Sequence, residues 1–223
     1  MSTKAIIFDM DGVLVDSEHL YRAMNLKLFA ELGATVSQQE YDGFIGIAAN
    51  KMWGYLKDNY GIALGIPTLK KMEKDHKFQL LSERELHSFE GVLSLLQEAQ
   101  ALGYKMAVAS SSPKKNIELV VTKLGIAHFF DVLLSGEEVA KGKPEPDIFL
   151  KAAALLGVAP QQCIVIEDSR NGAIAASKAN IPCVGFRSPH SGHQDFSTCA
   201  LIIDEFSQTN RREILSLFNK VLG

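Results

Sequence analysis

The stretch Phe8-Asp9-Met10-Asp11-Gly12-Val13-Leu14-Val15-Asp16-Ser17 sets two carboxylates two positions apart, where the apolar run Ala5-Ile6-Ile7-Phe8 gives way to a glycine. A short apolar run ending in an acidic turn reads as a buried strand that delivers its acids at its carboxyl end. Alternate side chains of an extended chain point the same way, so Asp9 and Asp11 are expected to face one site, with Gly12 bending the chain just beyond them. Two carboxylates this close repel by several kcal/mol at an intermediate dielectric, and keeping both ionised calls for a cation. A strand followed by an ordinary turn would use the same residue types, because Asp and Gly are common in turns. The rest of the chain decides between the two.

Three further fragments stand at or near the ends of apolar runs: Met106-Ala107-Val108-Ala109-Ser110, Lys143-Pro144, and Ile164-Val165-Ile166-Glu167-Asp168-Ser169. In a parallel sheet with helical crossovers the carboxyl ends of the strands share one edge, where residues far apart in sequence converge. Taken in order, Asp9-x-Asp11-Gly12, Ser110, Lys143 before proline and the Glu167-Asp168 pair resemble the four motifs of the haloacid dehalogenase superfamily of phosphohydrolases. The resemblance covers nearly the whole chain. Within it, Gly142-Lys143-Pro144-Glu145-Pro146-Asp147 and Glu167-Asp168-Ser169-Arg170-Asn171-Gly172 are similar to the β-phosphoglucomutase-like subfamily, mostly sugar-phosphate phosphatases with a few mutases.

Periodicity gives an α/β fold, a Rossmann-like parallel sheet core with an inserted all-helical cap. Residues 1–16 and 88–223 are assigned to the core and 17–87 to the cap. In the cap, Ser17 to Gly33 reads as an amphipathic helix with Leu20, Met24, Leu28 and Leu32 on one stripe. Ser37-Gln38-Gln39-Glu40 has capping-box spacing for a second helix, and helices follow from Ala48 to Tyr60 and from Pro67 to about Leu86. After Gly91 helix and strand alternate, with strands at Lys105–Ser110, Val132–Ser135, Cys163–Glu167, Pro182–Phe186 and Leu201–Ile203. Repeated strand-helix units mean a parallel sheet with right-handed crossovers.

A phosphate monoester dianion repels nucleophiles, so an attacking carboxylate works only where a metal and positive groups neutralise the equatorial oxygens. The resemblance implies Asp9 as nucleophile, through an aspartyl-phosphate, and Asp11 as general acid and base. It implies Lys143 as the lysine that screens Asp9 and the phosphate, and Mg²⁺ held by Asp9, Asp11, Glu167 and Asp168. Oxygen-only ligation suits that ion. Ser110, with the backbone N–H of Ser111 and the helix starting near Pro113, is expected to bind the phosphate, and Ser112 to cap that helix. Asp168-Ser169 also suits a helix cap, Lys141 reads as a surface charge, and Pro189-His190-Ser191-Gly192-His193 as a surface loop.

The subfamily's mutases carry a lysine before a cap glycine and an arginine three residues after it, which hold a second phosphate. Here that stretch is Ile45-Gly46-Ile47-Ala48-Ala49-Asn50-Lys51: Gly46 is kept as a substrate-binding position and both charges are missing. A phosphatase acting on a small, single-phosphate, sugar-derived ester is therefore expected, with a sugar phosphomutase as the alternative. Ile45 and Ile47 are expected to wall its pocket, with Arg22 or Lys51 able to reach in; Trp53 either joins that wall or, like Met52 at helical spacing, packs in the cap core. A dehalogenase would lack Asp11, and a non-catalytic binding protein would tolerate loss of the constellation, which is intact.

Composition narrows the partners. With 223 residues, 47% hydrophobic, and a formal charge of -3, the chain can bury a sizeable core, and its basic residues are scattered in short pairs such as Lys70-Lys71 and Arg211-Arg212. Neither nucleic acid nor membrane is expected as a partner. Met1-Ser2-Thr3-Lys4 runs straight into a short strand too quickly acidic for a secretory segment. Cys163, Cys183 and Cys199 form no C-x-x-C pair, which fits buried thiols in a reducing, cytoplasmic setting. A monomer or weak homodimer is expected.

Overall fold

The computed structural model describes residues 3–45, 47 and 49–221. The chain divides into two compact units, Met1–Asp16 with Leu86–Gly223, and Ser17–Glu85, so that Leu86 and His87 go with the first.

The first unit is built on a parallel sheet of β1 (Ala5–Phe8), β2 (Lys105–Ser110), β3 (Val132–Ser135), β4 (Cys163–Glu167), β5 (Cys183–Phe186) and β6 (Leu201–Ile203). Their order is β3-β2-β1-β4-β5-β6, so the direction of winding reverses at β1. In such sheets the crevice outside the carboxyl ends at the reversal is where ligands bind. Register brings the motif strands level: Phe8 pairs with Val108 on one side and Ile166 on the other. Asp9 extends the pairing by one bond, its N–H donating to the Ile166 carbonyl at 2.9 Å. Every residue of β1 and β4 is buried, which is why both read as unbroken apolar runs.

Helices alternate with these strands at Val92–Ala101, Lys114–Lys123, Asp147–Leu156, Arg170–Lys178 and Gln208–Val221. Ile148, Phe149, Ala152, Ala153 and Leu156 from one of them pack with Ile7, Ala107 and Val165 in the core on one face of the sheet. The Lys143–Pro144 peptide is cis. Where the chain leaves this unit and returns, the Asp16 N–H donates to the His87 carbonyl at 3.2 Å.

The second unit holds only helices among the described residues: Glu18–Glu31, Gln38–Asp42, Ala49–Tyr60 and Ile66–Glu83. The Ser37 capping box forms in full, with Ser37 Oγ accepting from the Glu40 N–H and Glu40 Oε2 accepting from the Ser37 N–H. The first helix corrects the sequence expectation: it buries Tyr21, Asn25, Leu28 and Phe29 rather than the stripe through Leu20, Met24 and Leu32. Asn25 lies in the middle of that face and donates to the Tyr41 hydroxyl at 3.0 Å, so a hydropathy pattern passes it over for the neighbouring stripe. Leu28, Phe29, Tyr41, Met52, Trp53, Leu56 and Leu69 form this unit's own core. No helix among the described residues is long and apolar enough to cross a membrane.

Candidate active site

β1, β2 and β4 end together, and at that edge Lys143 joins them. Its Nζ donates to Asp9 Oδ1 at 2.5 Å, to Glu167 Oε1 at 2.6 Å and to the Ala109 carbonyl at 3.1 Å. Side chains from positions 134 and 24 residues away thus share one ammonium, and all three are nearly out of water. The second Glu167 oxygen is also engaged, accepting from Ser169 N at 3.0 Å and Ser169 Oγ at 2.8 Å. Gly172 makes room for that carboxylate: a Cβ there would overlap it.

The charges do not balance. Burial pushes the Asp9 carboxyl up to about 7, against the pull of Lys143 and with the Glu167 and Asp11 charges adding to the rise. Burial also works against the Lys143 charge, but Asp9 and Glu167 outweigh it and hold the ammonium well above the usual lysine range. Asp168, buried, follows Glu167, and its Oδ2 lies against Gly12, whose φ of +78° places its hydrogen where any side chain would collide with that oxygen. Asp9 and Glu167 thus share a single lysine, with the Asp11 charge acting on Asp9 and Asp168 next in the chain to Glu167. The donors are all oxygens, which fits a hard divalent cation such as Mg²⁺ and suits a soft or imidazole-seeking metal poorly.

Ser110, buried at the end of β2, accepts from the Ser112 N–H at 3.1 Å, and Ser111 is exposed beside it. Ser112 corrects the sequence expectation. The N-cap of the Lys114–Lys123 helix is Pro113, with no side-chain cap bond, and the Ser112 hydroxyl instead donates to Asp11 Oδ2 at 2.8 Å. A partner 101 positions away outcompetes a local cap, so the S-S-S-P run gave no sign of it. Ser169 does cap its helix, accepting from the Gly172 N–H at 3.1 Å. Lys141 is exposed, as expected of a surface charge. The loop read as surface is so only in part: His190 is half-exposed, but Ser191 is buried and its hydroxyl donates to Asp168 Oδ2. No local pattern announced that contact.

In the helical unit a cavity of about 190 Å³ is lined by Glu18, Asn25, Ile45, Ile47, Met52 and Lys77, among others. Ile45 and Ile47, expected on a substrate pocket's wall, both line this cavity. Of the two readings of Trp53 the core one holds: it is fully buried and its Nε1 donates to Glu73 Oε2 at 2.8 Å. Lys77 is held by Glu73 at 2.9 Å, Arg22 by Asp42 at 2.7 Å, and Lys51 is exposed. Gly46 and Ala48 lie outside the described residues.

The family model for haloacid dehalogenase-like hydrolases matches residues 6–186. The chain is 31% identical over 178 residues to a phosphorylated carbohydrates phosphatase of Thermotoga maritima, covering 80% of this chain and 82% of the relative. To the 6-phosphogluconate phosphatase of Escherichia coli it is 30% identical over 195 residues, covering 84% and 85%. Among solved structures, CbbY of Rhodobacter sphaeroides in complex with xylulose-(1,5)bisphosphate superposes with a TM-score of 0.81 at 27% identity, over 92% of this chain and 96% of that one.

Proposed function

As the chain belongs to the haloacid dehalogenase-like hydrolases, and is an enzyme of that family, we propose that it is a Mg²⁺-dependent phosphatase of small, sugar-derived phosphate monoesters. The observation that carries this reading is the Lys143 ammonium bridging Asp9 and Glu167 at the carboxyl edge of the sheet. It leaves Asp9 as a carboxylate that is desolvated, aimed and held by one partner, which is what an attacking oxygen needs.

Asp9 attacks phosphorus in line, its Oδ–P bond forming as the bond to the substrate's ester oxygen breaks. Asp11, held by Ser112, gives that oxygen its proton and afterwards takes one from the water that hydrolyses the aspartyl-phosphate. Ser110 and the Ser111 N–H bind phosphate oxygens at the start of the helix after β2. Asp9, Asp168 and the Asp11 carbonyl would hold Mg²⁺, with Glu167, already bound to Lys143 and Ser169, acting through water. The ion supplies positive charge against the phosphate oxygens and the excess carboxylates.

The missing cap charges favour hydrolysis over isomerisation. Ile45 and Ala49 stand where the mutases' charges would be, and each charge-assisted contact to a second phosphate is worth about 1.5–3 kcal/mol. EDTA is expected to abolish phosphate release from a panel of sugar phosphates, and Mg²⁺ to restore it. Full turnover in metal-free buffer would sink the metal assignment. With β-glucose 1-phosphate and a bisphosphate activator, free phosphate is expected to form faster than glucose 6-phosphate; the reverse would make this chain a mutase.

A further inference from the structure

The loop between β5 and β6 reaches back to the site by one residue, and that residue is not part of any motif. Ser191 is only 5% exposed although the loop around it is largely open to solvent. Its Oγ donates to Asp168 Oδ2, and the same oxygen is pressed against Gly12; a Cβ on Gly12 would stand 3.1 Å from Ser191 Oγ. Two residues from two separate loops, Ser191 and Gly12, therefore close on one Asp168 carboxylate oxygen.

The loop is fastened from its far side as well. Gln194 donates from Nε2 to the Ser191 carbonyl at 2.8 Å and accepts at Oε1 from the Arg170 N–H at 3.0 Å. Arg170 is the first residue of the helix that follows Asp168 and Ser169. The result is a closed ring, Asp168 through Ser169 to Arg170, across Gln194 to Ser191 and back to Asp168. A carboxylate turns freely about its last torsion, so its direction is set by what binds it. Here a buried hydroxyl does so, and the ring fixes the hydroxyl.

We infer that Ser191 is a positioning residue: it fixes the rotation of the Asp168 carboxylate for the divalent cation, with Gln194 holding Ser191 in place. This rests on the proposed metal role of Asp168. Groups that orient a metal's ligands commonly change affinity by about 10–100-fold when removed. A hydroxyl adds no charge, so its loss should act through geometry and leave the charge count of the site as it is.

The test is Mg²⁺ binding by titration calorimetry on the whole chain, with Mn²⁺ binding by electron paramagnetic resonance as a second readout, for the wild type, Ser191→Ala, Ser191→Thr and Gln194→Ala. Ser191→Ala is expected to weaken Mg²⁺ at least about tenfold. Ser191→Thr, which keeps the hydroxyl, should stay within a few-fold of wild type, and Gln194→Ala should fall between. At saturating Mg²⁺ the KM for p-nitrophenyl phosphate should move little, since Ser191 touches no substrate. Should Ser191→Ala not fold, Gln194→Ala carries the test, because it loosens the same ring from outside. Wild-type Mg²⁺ affinity in Ser191→Ala, or in a folded Gln194→Ala when Ser191→Ala does not fold, would overturn the inference while leaving the phosphatase reading standing. Absence of Mg²⁺ binding by the wild type would overturn both.

Discussion

Each unit of the molecule buries a glutamate against a lysine, and the two pairs are built to opposite ends. In the helical unit Glu73 meets Lys77, one turn along the same helix, at 2.9 Å; its other oxygen takes the Trp53 N–H, and Lys77 lies 4.9 Å over the Tyr21 ring. Both members lie on one helix, and the second carboxylate oxygen is taken by a neutral donor. At the sheet edge Lys143 is shared between Glu167 and Asp9, with Asp11 and Asp168 nearby, so the acids outnumber the base. The residue types are the same. What separates the two is how the ammonium is used: a second carboxylate shares it only in the unit whose elements converge from distant parts of the chain.

The largest break in this comparison is expected from Asp9→Asn. Phosphate release should fall to background, because an amide cannot form the acyl-phosphate, while the metal-free protein should melt no lower than the parent, having lost one uncompensated charge. Asp11→Asn should slow transfer by about 10²–10⁴ and still fold. An activity assay with a melting curve on each variant checks both; substantial activity in Asp9→Asn would replace the carboxylate by water as nucleophile.

Lys143→Met should cost about 3–5 kcal/mol of stability by denaturant titration, since it strands two buried carboxylates. Mg²⁺ should recover part of that loss, and a loss below 1 kcal/mol would mean that Asp9 or Glu167 simply protonates. pH sharpens the same point. The folded Asp9 pKa of about 7 lies above the unfolded value near 3.9. Its contribution to stability is therefore complete below pH ~4 and is lost as pH rises through about 7, at up to about 1.4 kcal/mol per pH unit. The metal-free melting temperature should accordingly drift down between pH 5 and 8, and the drift should vanish in Asp9→Asn or with saturating Mg²⁺. The smallest effect is expected from Glu73→Gln. The amide still accepts from Trp53, so the helical unit should lose only about 1 kcal/mol, and phosphate release at saturating substrate should change little.

The sheet was legible because strands buried on both faces leave continuous apolar runs, and β1, β2 and β4 carry them undiluted. Asp9, Lys143 and Glu167 were legible because each sits at the end of such a run or beside a proline that marks the place. Ser112 and Ser191 were not. Their partners are 101 and 23 residues away, and serine has stronger local habits, capping helices and filling loops, than any long-range signal it can carry. Asn25 failed the pattern in the other direction, as a polar residue buried by a partner that hydropathy does not see.

The bond from the Asp16 N–H to the His87 carbonyl closes the sheet unit at the point where the helical unit is inserted. For the sheet, everything from Ser17 to Glu85 is a single excursion between β1 and β2, across which Ala5 pairs with Lys105. Chain-closure entropy grows only with the logarithm of length, about 0.6 kcal/mol for each doubling. Replacing, shortening or enlarging the insert is therefore cheap for the fold that carries Asp9 and Lys143. A lineage can exchange that one segment of chain while keeping the strands that carry Asp9 and the loop that carries Lys143.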